Sequence, residues 1–500
     1  MFFSRHILPL ILLGGGKSIV FPANAASNAT HGVWHPPKAS WITDLAQVVN
    51  GTGVHGFIFN SSINPKGVNY GTYNWCNMPH VRKDTYPEAS GDLQLEYIEV
   101  IHRHHKRTPY ASNQFPHEDI SWDCSDIGLS ITSSPLLPDF SFPAAATYWN
   151  ISIPPSQPFA ALLPSPNSTC AFPQITHGGF LDSYQHGVDL ATVYRSLLGR
   201  GYSPEKIKFR ATNNIITSQV AGALIRGMFR GRLPAGDRPN IPLQIQPPQI
   251  DSLEPTYPCP SSAALTSSIR SSAEWQDHLA ASSALYNSLD AVSGVDPNDE
   301  GWHSSWDRYY DALSARQCHE KPLPCSPSDP ANCILQTQAD TVYRLGQWEY
   351  SFQYRGSGPQ TLQATQASFG VWISELAAHL RSKMSGESEV VYFHNVAHDG
   401  SVSRLLSILQ LEKMVWPGMG AEVVFELYSR RGSGNHHGSS GARSTKKWYI
   451  RILWSGMILR SSNSTLGEAE MLDADIFLNY IDELAGPGAN QVVDMCGTEV

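Results

Sequence analysis

Leu95-Glu96-Tyr97-Ile98-Glu99-Val100-Ile101 runs into Arg103-His104-His105-Lys106-Arg107-Thr108-Pro109. The first segment is largely apolar, short and β-branched, which predicts a strand. The second is a polar turn closed by Thr-Pro. A strand ending in such a turn places its last side chains at the mouth of a sheet, where α/β proteins bind ligands. Here the turn carries imidazoles between two arginines, Arg103 and Arg107. Guanidinium is permanently charged and forks onto phosphate-like oxygens in two parallel hydrogen bonds. An imidazole between two such forks has the chemistry of a nucleophile toward a bound phosphorus. Alone, a basic heptad is most simply a solvated turn. A second strand and turn far along the chain favours the chemical reading: Glu389 to Phe393 is apolar enough for a strand and leads through His394 to His398-Asp399.

Composition bounds the alternatives. The 500 residues are 41% hydrophobic, enough for a large core, and only 16% charged, with a formal net charge of −9. The charges are mixed in sign along the chain. No basic stripe interleaved with aromatics is present, so a nucleic-acid partner is not expected. Arg5, the apolar run Ile7 to Leu13, and small residues at Ala23 and Ala25 read as a signal peptide over 1–25, too short to span a bilayer. No membrane anchor is expected elsewhere. Sequons at Asn28, Asn50, Asn60, Asn150, Asn167 and Asn463 and an even count of eight cysteines fit a secreted, glycosylated, disulfide-bonded chain. Spacing leaves the cysteine pairing open. Cys318, Cys325 and Cys333 lie in a Pro-rich stretch and read as a loop staple. Oligomeric state is not readable.

The pair Arg103-His104-His105-Lys106-Arg107-Thr108-Pro109 and His398-Asp399 resembles the signature of the histidine acid phosphatases, branch 2 of the histidine phosphatase superfamily. Order, preceding strands and a gap of roughly three hundred residues all agree. Ile175-Thr176-His177-Gly178-Gly179 and Gln185, ahead of a helix, are a further point of likeness. The resemblance implies an α/β fold: a Rossmann-like three-layer core with a mixed, mostly parallel sheet and an inserted, mainly helical cap, as in phosphoglycerate mutases. It implies that His104 attacks phosphorus, that Arg103, Arg107 and His398 hold the phosphate, and that Asp399 protonates the leaving oxygen. No metal or other cofactor is expected in that chemistry, because the arginines and histidines supply the positive charge. The expected substrate class is a small phosphate monoester.

Two positions depart from the family pattern. His105 stands where a glycine is usual. Ile216 stands where a further phosphate-binding arginine is usual, with Arg210 or another nearby polar group as the substitute. This departure keeps open a catalytically impaired member that binds phosphorylated or anionic ligands. A mutase and a structural glycoprotein are more distant alternatives.

Along the chain, 26–93 reads as an irregular N-terminal extension and 94–500 as the phosphatase domain, with the cap at about 230–385. Leu190, Val193, Tyr194 and Leu197 mark a helix stopped by Gly199. Ile207 to Arg210 is a short strand, followed by a helix with Thr217 or Ser218 as its cap. Helical spacing recurs at 273–292 and 339–354. Ala421 to Tyr428 and Lys447 to Trp454 read as antiparallel strands joined by an exposed loop containing His436 and His437. Ala474 to Leu484 reads as the last helix.

Overall fold

The strand that opens the domain, β1 (Leu93–Arg103), sits near the middle of an eight-stranded mixed sheet in the computed structural model. The structure describes residues 32–54, 70–133, 145–154, 156–165, 167–199, 201–230, 241–430 and 446–497. In chain order β1 is followed by α1 (His177–Val193), β2 (Ile207–Ala211), α2 (Ile215–Met228), α3 (Asp307–Cys318) and α4 (Gln336–Ser351). Then come α5 (Pro359–Ser385), β3 (Tyr392–Ala397), α6 (Asp399–Ile408), β4 (Glu422–Arg430), β5 (Lys447–Trp454) and α7 (Ala474–Ala485).

Across the sheet the order runs β5, β4, β1, β3, β2, with two-residue strands at both edges. β1, β3 and β2 are mutually parallel; β4 and β5 are antiparallel additions. Side chains alternate across the pleat. Tyr97 and Ile101 of β1 join Phe393, Phe425 and the helices α5, α6 and α7 in one core. Ile98 and Val100 join Tyr392, Val424 and the helices α1 and α2 in the other. The result is the expected three-layer α/β fold. On the second face the helices touch backbone to backbone. A Cβ at Gly187 would lie 2.1 Å from the Leu224 carbonyl, and one at Gly227 would lie 2.0 Å from the Tyr184 carbonyl, so any larger residue would push α1 and α2 apart.

Several element boundaries differ from the sequence reading. β3 continues through His394 and Asn395 to Ala397, because both polar side chains are buried and bonded: His394 to the Tyr392 hydroxyl, Asn395 to Glu99. α1 begins thirteen residues before the apolar pattern suggests, since Thr176 caps it by accepting from the Gly179 amide. α2 is capped by Asn214, whose Oδ1 accepts from the Ile216 amide, rather than by Thr217 or Ser218. The long helix α5, within the stretch assigned to the cap, packs on the sheet through Phe369, Trp372, Ile373 and Leu376. The helices Ala273–Ala281, Ser283–Ser293 and Glu300–His303, with α3 and α4, gather around an aromatic cluster that includes Trp275, Tyr286, Trp306, Tyr310 and Trp348.

Residues 70–81, read as a wrapped extension, are largely buried, and Cys76 is disulfide-bonded to Cys318 at the end of α3. The other bonds are Cys124–Cys170, Cys259–Cys496 and Cys325–Cys333. Only the last is the local staple expected; Cys318 instead joins parts of the chain that are remote in sequence. Asn50, Asn150 and Asn167 are exposed. Asn463 is a correction: it is 5% exposed and its Oδ1 accepts from the Thr465 amide, which leaves a glycan no room. Asn28, Asn60, the signal segment and the His436-His437 loop lie outside the described residues.

Candidate active site

Parallel register brings the two sequence motifs together. Arg103 pairs with Ala397, so β1 and β3 end at the same level and hand the chain to His104 and His398 side by side. The His104 amide donates to the Ala397 carbonyl at 3.0 Å, and the two imidazoles lie 5.4 Å apart, edge to face. This is the carboxyl end of adjacent parallel strands, the usual ligand position in an open α/β sheet.

His104 is 1% exposed, and its Nδ1 lies 3.0 Å from the His105 carbonyl. A carbonyl can only accept, so Nδ1 carries the proton and Nε2 keeps its lone pair. Burial, followed by the charges of Arg107, Arg103 and His398, pushes the His104 pKa well below its ordinary value. The imidazole therefore stays neutral, and nucleophilic, at acid pH.

The two arginines are fixed by different parts of the molecule. Arg103 donates to the Pro417 carbonyl at 2.7 Å, pairs with Asp399 at 3.1 Å and lies over the Trp75 ring at 4.8 Å. Trp75 in turn packs on Tyr310 and Trp416. Arg107 lies over Tyr110 at 4.1 Å and pairs with Asp311 of α3 at 3.0 Å. Asp311 also accepts from the Tyr110 amide and from Asn113. A single buried carboxylate thus shapes the whole turn after Arg107.

Asp399 is the first residue of α6. Its Oδ2 accepts from Trp416 Nε1 at 2.8 Å and its Oδ1 from the Gly400 amide at 2.8 Å. Burial works to raise its pKa, but Arg103, the Trp416 donor, His398 and Arg107 together hold it below the ordinary carboxylate value. With 22% of its side chain exposed, Asp399 remains reachable from the cleft. His398 Nε2 is 2.9 Å from the Thr212 hydroxyl and 3.4 Å from Glu254. Thr212 is braced by Thr217, whose hydroxyl donates to backbone carbonyls.

Arg210 is not gathered into this group. Its Nη1 donates to Glu375, and its Nη2 to Gln246, Asp251 and Ser252, at 2.6 to 3.2 Å. Both terminal nitrogens are spent, which makes it an internal tie rather than a free phosphate donor. Ile216 is fully buried among Ile175, Ala211, Val220, Ala221 and Val396. Sequence reasoning missed Thr212, Glu254, Asp311, Trp75 and Trp416. Their partners are 17 to 204 residues away, and no local pattern announces them. It also missed Asp307, the first residue of α3, whose pKa is raised to about 7 by burial and by repulsion from Asp399, Asp311 and Glu349.

The profile of the histidine phosphatase superfamily (branch 2) matches residues 94–455. Counting factor 60 of Dictyostelium discoideum is 25% identical over 365 residues, covering 71% of this chain and 80% of that protein. 2-Phosphoxylose phosphatase 1 of Danio rerio is 25% identical over 406 residues, 77% of each chain. Lysosomal acid phosphatase of Xenopus laevis is 25% identical over 275 residues, 52% of this chain and 60% of that one. Among solved structures, a Hafnia alvei phytase aligns with a TM-score of 0.49 at 12% identity, covering 80% of this chain and 99% of that one. The matched profile spans well over half of the sequence, and the chain belongs to the histidine phosphatase superfamily, branch 2, a family of phosphoric monoester hydrolases.

Proposed function

We propose that this protein is a secreted acid phosphatase that hydrolyses small phosphate monoesters through a phosphohistidine at His104. The observation that carries this reading is the convergence of Arg103, His104, Arg107, His398 and Asp399 at the ends of β1 and β3. In the first step His104 Nε2 attacks phosphorus, the ester P–O bond breaks, and Asp399 gives its proton to the departing oxygen. In the second, a water attacks the phosphohistidine, Asp399 takes its proton, and inorganic phosphate leaves. Arg103, Arg107 and His398 hold the equatorial oxygens, where charge gathers in the transition state. None of these steps needs a metal ion.

Acid operation follows from the electrostatics. Asp399 donates only when protonated, and its neighbours hold it below the usual carboxylate value. A bound phosphate engages the charges of Arg103 and Arg107, so the acid regains basicity in the complex. His104 stays neutral over the same range. Four disulfides and three exposed sequons support a secreted location.

Hydrolysis of p-nitrophenyl phosphate, measured from acid to neutral pH beside His104→Ala and Asp399→Asn, tests the proposal. Activity at acid pH that survives brief exposure to a chelator and vanishes in His104→Ala is the expected result. A second reading, a member that binds phosphorylated or anionic ligands without turnover, draws on Ile216 and on the tied Arg210. Its mark would be phosphate raising the Tm of a wild type that releases no phosphate.

A further inference from the structure

Directly beneath the catalytic turn, on the α1 side of the sheet, lies a group of histidines that the phosphatase chemistry does not use. His102, His105 and His186 are all fully buried, and one ring nitrogen of each lies within 4.8 Å of the others. Among the described residues this is the one set of three or more metal-type donors so placed. His105 is also the departure from the family's glycine. Its ring occupies space made by a glycine elsewhere. Gly420 has φ +73°, and a Cβ there would lie 2.4 Å from His105 Cε1.

The hydrogen bonds around these rings have the pattern of a ligand sphere. His105 Nε2 and His186 Nδ1 are 3.1 Å apart, close to the separation of two nitrogens on a tetrahedral ion. His186 Nε2 is 2.9 Å from Glu422 Oε2, both side chains fully buried. His102 Nδ1 donates to the Arg103 carbonyl at 2.8 Å. Metal-binding imidazoles are oriented in this way, the far N–H given to a carboxylate or a carbonyl. On the side facing these two nitrogens, His102 Nε2 is buried without a partner. A buried polar atom of this kind is costly if nothing satisfies it. The His394 ring packs edge to face on that of His102, 4.9 Å away.

We propose that His102, His105 and His186 bind a single divalent transition-metal ion, with zinc as the best fit, as a structural clamp under the catalytic turn. An all-nitrogen donor set disfavours calcium and magnesium, which take oxygen ligands. Glu422, bonded to His186, places a carboxylate in the outer shell to balance part of the ion's charge. The ion ties the end of β1 to α1 and, through Glu422, to β4. Because His104 Nδ1 donates to the His105 carbonyl, the clamp fixes the peptide that orients the nucleophile. The absence of a metal from the chemistry, expected from the sequence, does not extend to this position.

The experiment is metal analysis by mass spectrometry of the full-length protein secreted into zinc-containing medium and then dialysed, beside His186→Gln and His105→Gly. About one equivalent of zinc per chain in the wild type, lost in both variants, is the expected result. If a variant fails to fold, cobalt substitution of the wild type serves instead, and an intense visible absorption from tetrahedral cobalt supports the site. A folded wild type that holds no zinc, and whose Tm is unmoved by zinc or by a strong chelator, overturns the proposal. Retention of a full equivalent by both folded variants also overturns it, because the ion would then sit elsewhere.

Discussion

His104 and His105 are adjacent in sequence and face opposite sides of the chain. His104 turns toward Arg103, Arg107 and His398 at the cleft. His105 turns inward to His186, under the α1 layer. Both are buried and both are held neutral, for different reasons. For His104, burial is reinforced by two guanidiniums. For His105, burial is reinforced by His102, His80, Lys106 and His394. One imidazole keeps its lone pair for a phosphorus atom, the other for a partner inside the protein. Residue type alone therefore does not assign a role; the charges and donors around each ring do.

The largest effect that could break this contrast is at His104. His104→Ala should lower turnover by on the order of 10³-fold or more, the scale on which loss of a nucleophile acts, while leaving the Tm nearly unchanged. His105→Gly should do the reverse, lowering the Tm and zinc content and leaving measurable hydrolysis. Steady-state kinetics and thermal melts on the two variants separate the roles. Equal loss of turnover in both would erase the distinction.

Asp399→Asn comes next, with a loss of roughly 10²- to 10⁴-fold for alkyl phosphates. The loss should be smaller for p-nitrophenyl phosphate, whose leaving oxygen needs little help from an acid. The sign of the pH effect follows from the lowered pKa. As a donor, Asp399 is competent at low pH and fails as pH rises, so wild-type kcat/KM should fall from acid toward neutral. Its stabilising contact with Arg103 has the opposite dependence: present above the unfolded carboxylate pKa, and lost as pH falls through the lower folded value. A kcat/KM that climbs toward neutral pH would remove Asp399 as the acid.

Asp311→Asn sharpens the comparison from the cap side. The buried Arg107 would lose its partner, a change worth about 3–5 kcal/mol of stability when a buried pair is broken. KM should rise more than kcat falls, since Arg107 holds phosphate but does not react. Arg210→Ala should also lower the Tm, by stranding Glu375 and Asp251, yet leave KM unchanged. A raised KM would return Arg210 to the phosphate site.

The smallest effect is at Asp307. Its folded pKa of about 7 lies above that of the unfolded chain, so its cost is absent at acid pH and grows as pH rises toward 7. Asp307→Asn should therefore raise the Tm near neutral pH and do little at acid pH, in paired melts at the two conditions.

Much of this arrangement was legible from the chain. The β1 pattern, the Arg103–Pro109 turn and His398-Asp399 are contiguous stretches whose chemistry is local. The antiparallel pair β4 and β5 and the helix α7 followed from periodicity, although α7 is not the last helix, since a short one follows over Asn490–Cys496. The failures share a cause. His394 and Asn395 broke an apolar run because their polar atoms are matched only in three dimensions, and so β3 read as ending early. Arg210 read as a free cation because Glu375 and Asp251 are far away in sequence. Asp311 sits in a cap helix with no readable motif and meets Arg107 only after folding. The inward histidines were invisible as a group, since they come from β1, the turn, α1 and β3.

The most direct test of the central claim is rapid quenching of the enzyme with ³²P-labelled substrate into alkali, where phosphohistidine survives, followed by peptide mapping. The account expects label on the peptide containing His104 in the wild type and none in His104→Ala. Turnover with no alkali-stable phosphoenzyme on any timescale, or label that persists on that peptide in His104→Ala, would contradict it.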